Sequence, residues 1–233
     1  MIKTISKLIF FLLLILTIII FYLSYFGIKT NKFNDLINQK ITKNKEELSL
    51  SLEDVKLKLN LKNLSIELNT DNPNILFNKK KIELTKVSSN YSIKSFINKN
   101  FAIENLQIST KKNSIKDFLD FARLFQNNFQ MIIIEKLIKK GTLVIDIDIN
   151  FDKNGSIKDD YKFVGSVNNA KLNLINNQQI DNINFDFEIK NKLHSFNKVK
   201  VEFEKINFSS NQIKIINQKN NFLVEGDLNS SKG

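Results

Sequence analysis

Residues 141–174 read GTLVIDIDINFDKNGSIKDDYKFVGSVNNAKLNL, and the first part of that stretch decides what this chain can fold into. Leu143, Ile145, Ile147, Ile149 and Phe151 occupy odd positions, opposed by Thr142, Asp146, Asp148 and Asn150. Successive side chains of a strand point to opposite faces, so this pattern is a strand with one apolar and one wet side. Asn154-Gly155 is the strongest short hairpin signal available, and Tyr161, Phe163, Gly165 and Val167 return with the same period. The unit is an antiparallel pair.

Downstream the period persists through Leu172 and Leu174, Phe185 with Phe187 and Ile189, Val199 to Phe203, Ile206 with Phe208, Ile213 with Ile215, and Phe222, Val224 and Leu228. Upstream it begins at Leu48, Leu50 and Leu52, slips at Glu53-Asp54, and resumes at Val55, Leu57, Leu59 and Leu61. One joint recurs, with two polar residues between two apolar ones: 61–64, 84–87, 103–106, 167–170, 180–183 and 203–206. A two-residue hairpin and a bulge inside one long strand both keep the flanking apolar residues on one face. Either device gives a meander with one continuous apolar side. The single proline, Pro73, falls in a loop-like DNPN stretch where it spares the ladder.

Between the two groups of joints, Ser114 and Asp117 have capping-box spacing, and Ile115, Phe118, Leu119, Ala122, Phe125 and Phe129 follow at helical intervals. The spacing predicts a helix that continues to Lys139, with Lys139 and Lys140 at its negative pole and Gly141 as terminator. If this helix packs across the apolar face, the sheet is a sealed core. If it caps one end, a groove remains, and a carboxylate at Phe187 costs little folding in such a wet trough but much in a sealed core.

Residues 8–28, LIFFLLLILTIIIFYLSYFGI, carry no charge and match the ~30 Å hydrocarbon thickness of a bilayer at ~1.5 Å per helical residue. A cleaved secretory signal has a shorter apolar region, typically about 7–15 residues, followed by small residues at the cleavage site, so the run reads as a retained anchor with Tyr22 and Tyr25 at the interface. Phe33, Leu36, Ile37 and Ile41 then mark a short amphipathic helix, lying on the membrane or covering one end of the sheet. The expected organisation is a tail over 1–7, an anchor over 8–28, a helix and sheet region over 29–110, a helix over 111–140 and an antiparallel meander over 141–233. The last strand ends against SSKG with an uncovered edge, which calls for chain continuation, a partner strand or a fragment.

The formal charge of +11 raises nucleic acid as a partner, but Arg123 is the only arginine and the lysines are scattered, leaving little means for bidentate phosphate or base recognition. Lys79, Lys80 and Lys81 form the one run suited to anionic headgroups, or to a solvated turn. The chain has no cysteine and one histidine, His194, read as a loop residue. Asp146 with Asp148, and Asp159 with Asp160, are carboxylate pairs on a strand and a turn, and no glycine-rich phosphate loop occurs. The sequence therefore offers no catalytic, metal or cofactor site, and it does not read as an enzyme.

The anchor followed by phrases such as LSLEDVKLKLNLKNLSIEL, SIKSFINKNFAIENLQIS and the 141–174 stretch resembles the amino-terminal region of AsmA-like envelope proteins, the group that includes TamB and YhdP. The resemblance lies in pattern and covers nearly the whole chain. It implies a mostly β fold with helices: an amino-terminal transmembrane helix, then a twisted antiparallel sheet forming a groove-like meander, with one or two amphipathic helices. It further implies a single pass in the inner membrane, the body in the periplasm, and an apolar groove taking part in phospholipid transport towards the outer membrane and in envelope maintenance. Basic residues flanking residues 8–28 favour a cytoplasmic body by themselves, and the resemblance overrules them. Phospholipid acyl chains and the membrane are the implied partners, with Leu143, Ile145, Ile147, Ile149, Phe163, Phe185, Phe187, Phe203 and Phe208 lining the groove. The alternative is a membrane-tethered periplasmic scaffold or chaperone-like module that binds envelope or outer-membrane proteins.

Overall fold

The computed structural model describes residues 2–32, 34–35, 48–123, 129–174, 178–218 and 221–232. Helix α1 spans Ile2–Tyr25 and leads into a fifteen-stranded sheet in which every pairing is antiparallel. In chain order the first strands are β1 (Ile28–Thr30), β2 (Leu48–Ser51), β3 (Val55–Asn60), β4 (Ser65–Asp71), β5 (Asn74–Phe77) and β6 (Lys80–Ser92). Helix α2 (Ile93–Ile97), β7 (Ile103–Thr110), β8 (Asn113–Ser114), α3 (Ile115–Ala122) and α4 (Phe129–Leu137) follow. The remainder is β9 (Ile138–Asn150), β10 (Lys162–Asn173), β11 (Gln179–Lys190), β12 (Leu193–Phe203), β13 (Ile206–Asn217), β14 (Phe222–Gly226) and β15 (Asn229–Lys232). The main ladder runs β1-β3-β4-β6-β7-β9-β10-β11-β12-β13-β14.

The recurring joints resolve into both devices. At 167–170 and 180–183 the strand continues through a bulge, with Asn169 and Asn182 at φ +50° and +51°. Asparagine tolerates this left-handed conformation, and the Asn184 amide serves both sites, accepting from the Asn169 N–H at 2.9 Å and donating to the Asn182 carbonyl at 2.6 Å. Register shifts likewise place bulges at 84–87 and 103–106. Glu204 and Lys205, at φ +50° and +63°, instead form a two-residue hairpin turn, and 61–64 is a four-residue turn closed by the Asn60–Ser65 pair. At Glu53-Asp54 the phase slip separates two strands with different partners, since β2 pairs β5 while β3 pairs β1 and β4.

Several sequence expectations shift. Helix α1 begins at Ile2, within the tail expected over 1–7, and Ile28 belongs to β1 instead of the helix. The helix expected over 111–140 is two helices, α3 and α4, and β9 already starts at Ile138, so Lys139, Lys140 and Gly141 are strand residues. Gly141 is required by proximity: a Cβ there would stand 2.7 Å from the Ala170 Cα and from the Ile115 side chain. Asn154-Gly155 does not join β9 directly to β10; it lies in a small loop where Asp152 accepts from the Asn154 and Ser156 N–H groups, inside a longer connection. Phe33, Leu36, Ile37, Ile41 and Phe125 lie outside the described residues.

Helix α3 is held at one end of the sheet. Ser114 caps it, worth about 1 kcal/mol, by accepting from the Asp117 N–H at 3.5 Å. Lys80 of β6 bridges Asp117 at 3.1 Å and also pairs with Asp120, while Asn113 exchanges bonds with the Glu83 backbone. Ile115 is buried with Ile138, Leu143, Ile145, Ala170, Ile183 and Phe187, and Phe118 and Leu119 pack against that cluster. Each such aliphatic or aromatic side chain stabilises the fold by roughly 1.5–3 kcal/mol when fully buried.

At the edge of the sheet farthest from β1, β14 and β15 both pair β13, and Asp227 fills the gap between them. Its carboxylate accepts from the backbone N–H groups of Asn211 at 3.1 Å and Gln212 at 3.2 Å and from the Ser210 hydroxyl at 3.1 Å, which holds its pKa below the usual value. A depressed carboxyl stabilises the fold above its unfolded pKa of about 4 and ceases to do so as pH falls through the lower folded value. Asp227→Ala is therefore expected to speed hydrogen exchange at the Asn211 and Gln212 amides at pH 7 while leaving β3 to β7 unchanged. Equal exchange in both proteins would show that the carboxylate is not what holds this edge.

Candidate functional site

Directly opposed residues in an antiparallel pair share a face, so the register follows one side of the sheet from strand to strand. One row runs Thr30, Val55, Thr70, Val87, Ile108 and Ile147. It continues through Phe163, Ile189, His194, Ile215 and Val224. A neighbouring row holds Ile28, Leu57, Leu68, Ser89, Leu106 and Ile149. The predominantly apolar face thus crosses all eleven strands of the main ladder, which at ~4.8 Å per strand spacing amounts to roughly 50 Å. The opposite face carries Lys56, Glu67, Asn90, Asn105, Asp148 and Glu188.

Exposure along the face is uneven. Leu143 and Ile145 are 9% exposed and Phe187 8%, buried in the cluster that α3 seals at one end. Ile147, Ile149, Phe163, Phe185, Phe203 and Phe208 are only half-buried. Of the nine residues expected to line a groove, three therefore form a packed floor and six keep a surface that a ligand can reach. Phe185 stands edge-on to Phe196, with ring centroids 5.6 Å apart, and Tyr161 stacks on Phe163 at 5.3 Å.

The end of the same face next to α1 holds three adjoining hollows. The first, about 580 Å³, lies between Leu23 of α1 and Leu57, Leu59 and Ile66. The second, about 380 Å³, shares Leu57 and Ile66 and reaches Leu68, Tyr91 and Phe96. The third, about 190 Å³, shares Leu68 and Tyr91 and reaches Val87 and Leu106. Sequence reasoning placed strands here but missed these residues as site candidates. Their alternation marks a wet-faced strand, whereas their closeness to Leu23 depends on β1 pairing back onto β3.

The polar candidates are placed otherwise. His194 is a strand residue on the apolar face, opposed by Ile189 and Ile215, not a loop residue. The Asp148 carboxylate is taken up by Asn105 at 2.6 Å and Gln107 at 3.3 Å. Lys79 forms the β5–β6 turn at φ +64°, while Lys80 and Lys81 are paired to carboxylates, Lys81 to Glu83 at 2.9 Å, so this run is no open anion site. Those two aspartates raise the Lys80 pKa. Among the described residues no group of three or more histidine, aspartate or glutamate side chains is placed to hold a metal ion.

One helix, Thr4–Tyr25 within α1, is long and apolar enough to cross a membrane, and none of its most apolar window is buried against the rest of the protein. Tyr22, Tyr25 and Phe26 cluster at its end, with centroids 5.4 and 5.2 Å apart.

No family model, curated protein or solved structure matches the chain.

Proposed function

We propose that this chain is a single-pass inner-membrane protein of AsmA-like kind, whose periplasmic sheet carries phospholipid acyl chains along its apolar face towards the outer membrane. The observation that supports this most is the register itself: an apolar face continuous from Ile28, beside the foot of α1, to Val224 on the last strand of the main ladder. Helix α3 seals the part of that face around Leu143, Ile145 and Phe187, so the groove reading draws on the half-buried Ile147, Ile149, Phe163 and Phe185 beyond it. Alpha-1 supports the anchor. A bare apolar helix of this length is unfavourable in water and favourable in a bilayer. Its junction with the body also argues for retention, because Gly27 is buried and Ile28–Thr30 is already built into the ladder.

A second reading, a tethered scaffold for envelope proteins, draws on the far edge, where Phe222, Val224 and Leu228 are exposed. A photo-crosslinking residue at Phe163 or Phe185 separates the two. Capture of phospholipid in cells is expected there and not at Asp186 or Glu188, which alternate to the opposite face. Capture of protein alone at Phe163 and Phe185 would favour the scaffold and reject the lipid groove.

A further inference from the structure

The end of the sheet nearest the foot of α1 carries an exposed apolar rim that shares only Phe96 with the hollows of the apolar face. Beta-1 pairs β3 as Ile28 to Leu57 and Thr30 to Val55, so the chain before Ile28 lies towards the Leu59–Leu61 end of β3. Leu23 confirms the placement by sharing a hollow with Leu59 and Ile66. At that same end stand the turn after β3 and helix α2, joined by the Ile93 N–H donating to the Leu64 carbonyl at 3.0 Å. Their apolar side chains point into solvent: Leu64 is 57% exposed, Phe96 76% and Ile97 71%. Leu64 also sits at φ +49°, a conformation that glycine or asparagine takes with less strain, so a leucine is presented there against local preference. Lys62 and Lys94 flank these residues and pair with no carboxylate among the described residues.

Exposed apolar tips with unpaired lysines beside them, on the side where a membrane-length helix leaves the body, match an anionic lipid surface in both shape and charge. Resting on the reading that α1 crosses the membrane, we infer that the 61–64 turn and α2 dip into the leaflet that holds the foot of α1. This would set the hollow beneath Phe96 at the level of the acyl chains. The occupant of the rim is the bilayer itself, not a protein.

The chain contains no tryptophan, so single indoles report without background. Phe96→Trp and Ile97→Trp are made in the full chain and reconstituted into vesicles of phosphatidylethanolamine and phosphatidylglycerol, with or without brominated acyl chains. Phe222→Trp, on the exposed far edge, is the control. Insertion by ~5–10 Å should shift the emission of both rim indoles to shorter wavelength and give at least about twofold quenching by acyl bromines, with Phe222→Trp unchanged. Ile97 does not line the hollow, so its indole reads the bilayer and not a lipid held on the sheet. Both wild-type side chains are exposed, so melting temperatures should match the wild type.

Water-like, unquenched emission from both rim indoles overturns the inference, whatever protein is later found on that surface. The groove reading fails separately. Lipid crosslinking at Phe163 with a water-exposed rim rejects only the docking, and a quenched rim without crosslinking on the sheet rejects only the groove.

Discussion

Phe187→Asp is expected to abolish cooperative unfolding of the distal sheet. The ring lies over Gly165, where a Cβ would stand 2.7 Å from the Phe187 Cζ, and it packs in the buried cluster with Leu143, Ile145, Ala170 and Ile183. Deleting a buried phenylalanine side chain costs about 3–5 kcal/mol, and a buried carboxylate without a partner adds several more. Domains of this kind are stable by only about 5–15 kcal/mol, so the sum consumes most of the margin. Phe163→Asp, on a half-buried ring one strand nearer α1 in the row that starts at Thr30, leaves its carboxylate partly hydrated and is expected to cost far less. Circular dichroism melts of the two variants check the contrast. A Phe187→Asp protein that melts like Phe163→Asp would mean that the floor of the face is as open as its rim.

That contrast also marks where reading the residues stops. Alternation assigns Phe187 and Phe163 to the same face, but α3, whose Ile115 meets the strand pair at Gly141 and Ala170, makes one a floor residue and leaves the other reachable. The strands and their apolar side were legible because a one-residue error in phase would invert every side chain. The joints were legible as joints, yet the register shifts, the left-handed asparagines at 169 and 182 and the paired positive φ of Glu204-Lys205 are what separate bulge from hairpin. The helix boundary failed at Ile138 because IIIEKLIKK suits either state: the pairing of β9 with β10 and β7 overrides helical propensity. Least visible was the seam between β7 and β9, strands separated by two helices. No local pattern announces that Ile108 will face Ile147.

That seam is where the continuity of the face can be broken with one substitution. Ile108 and Ile147 are directly opposed, and Phe163 continues the row on the far side, so any acyl chain passing along this row from the anchor end to β10 and beyond crosses Ile147. Both isoleucines are half-buried, so Ile147→Glu places a partly hydrated carboxylate in the path at a folding cost of about 1–3 kcal/mol, which the sheet should survive. The same charge penalises an acyl chain lying against it. Since each ~1.4 kcal/mol is a factor of ten in occupancy, lipid capture by a photo-crosslinker at Phe208 should fall by roughly tenfold or more. Capture at Leu68, on the anchor side of the seam, should stay at the wild-type level, and Ile147→Leu should affect neither. The paired probes make the result readable, because loss of folding lowers both signals together while a blocked passage lowers only the distal one. Undiminished capture at Phe208 would mean that lipid reaches β13 without crossing the seam, and transport along one continuous face would have to be abandoned.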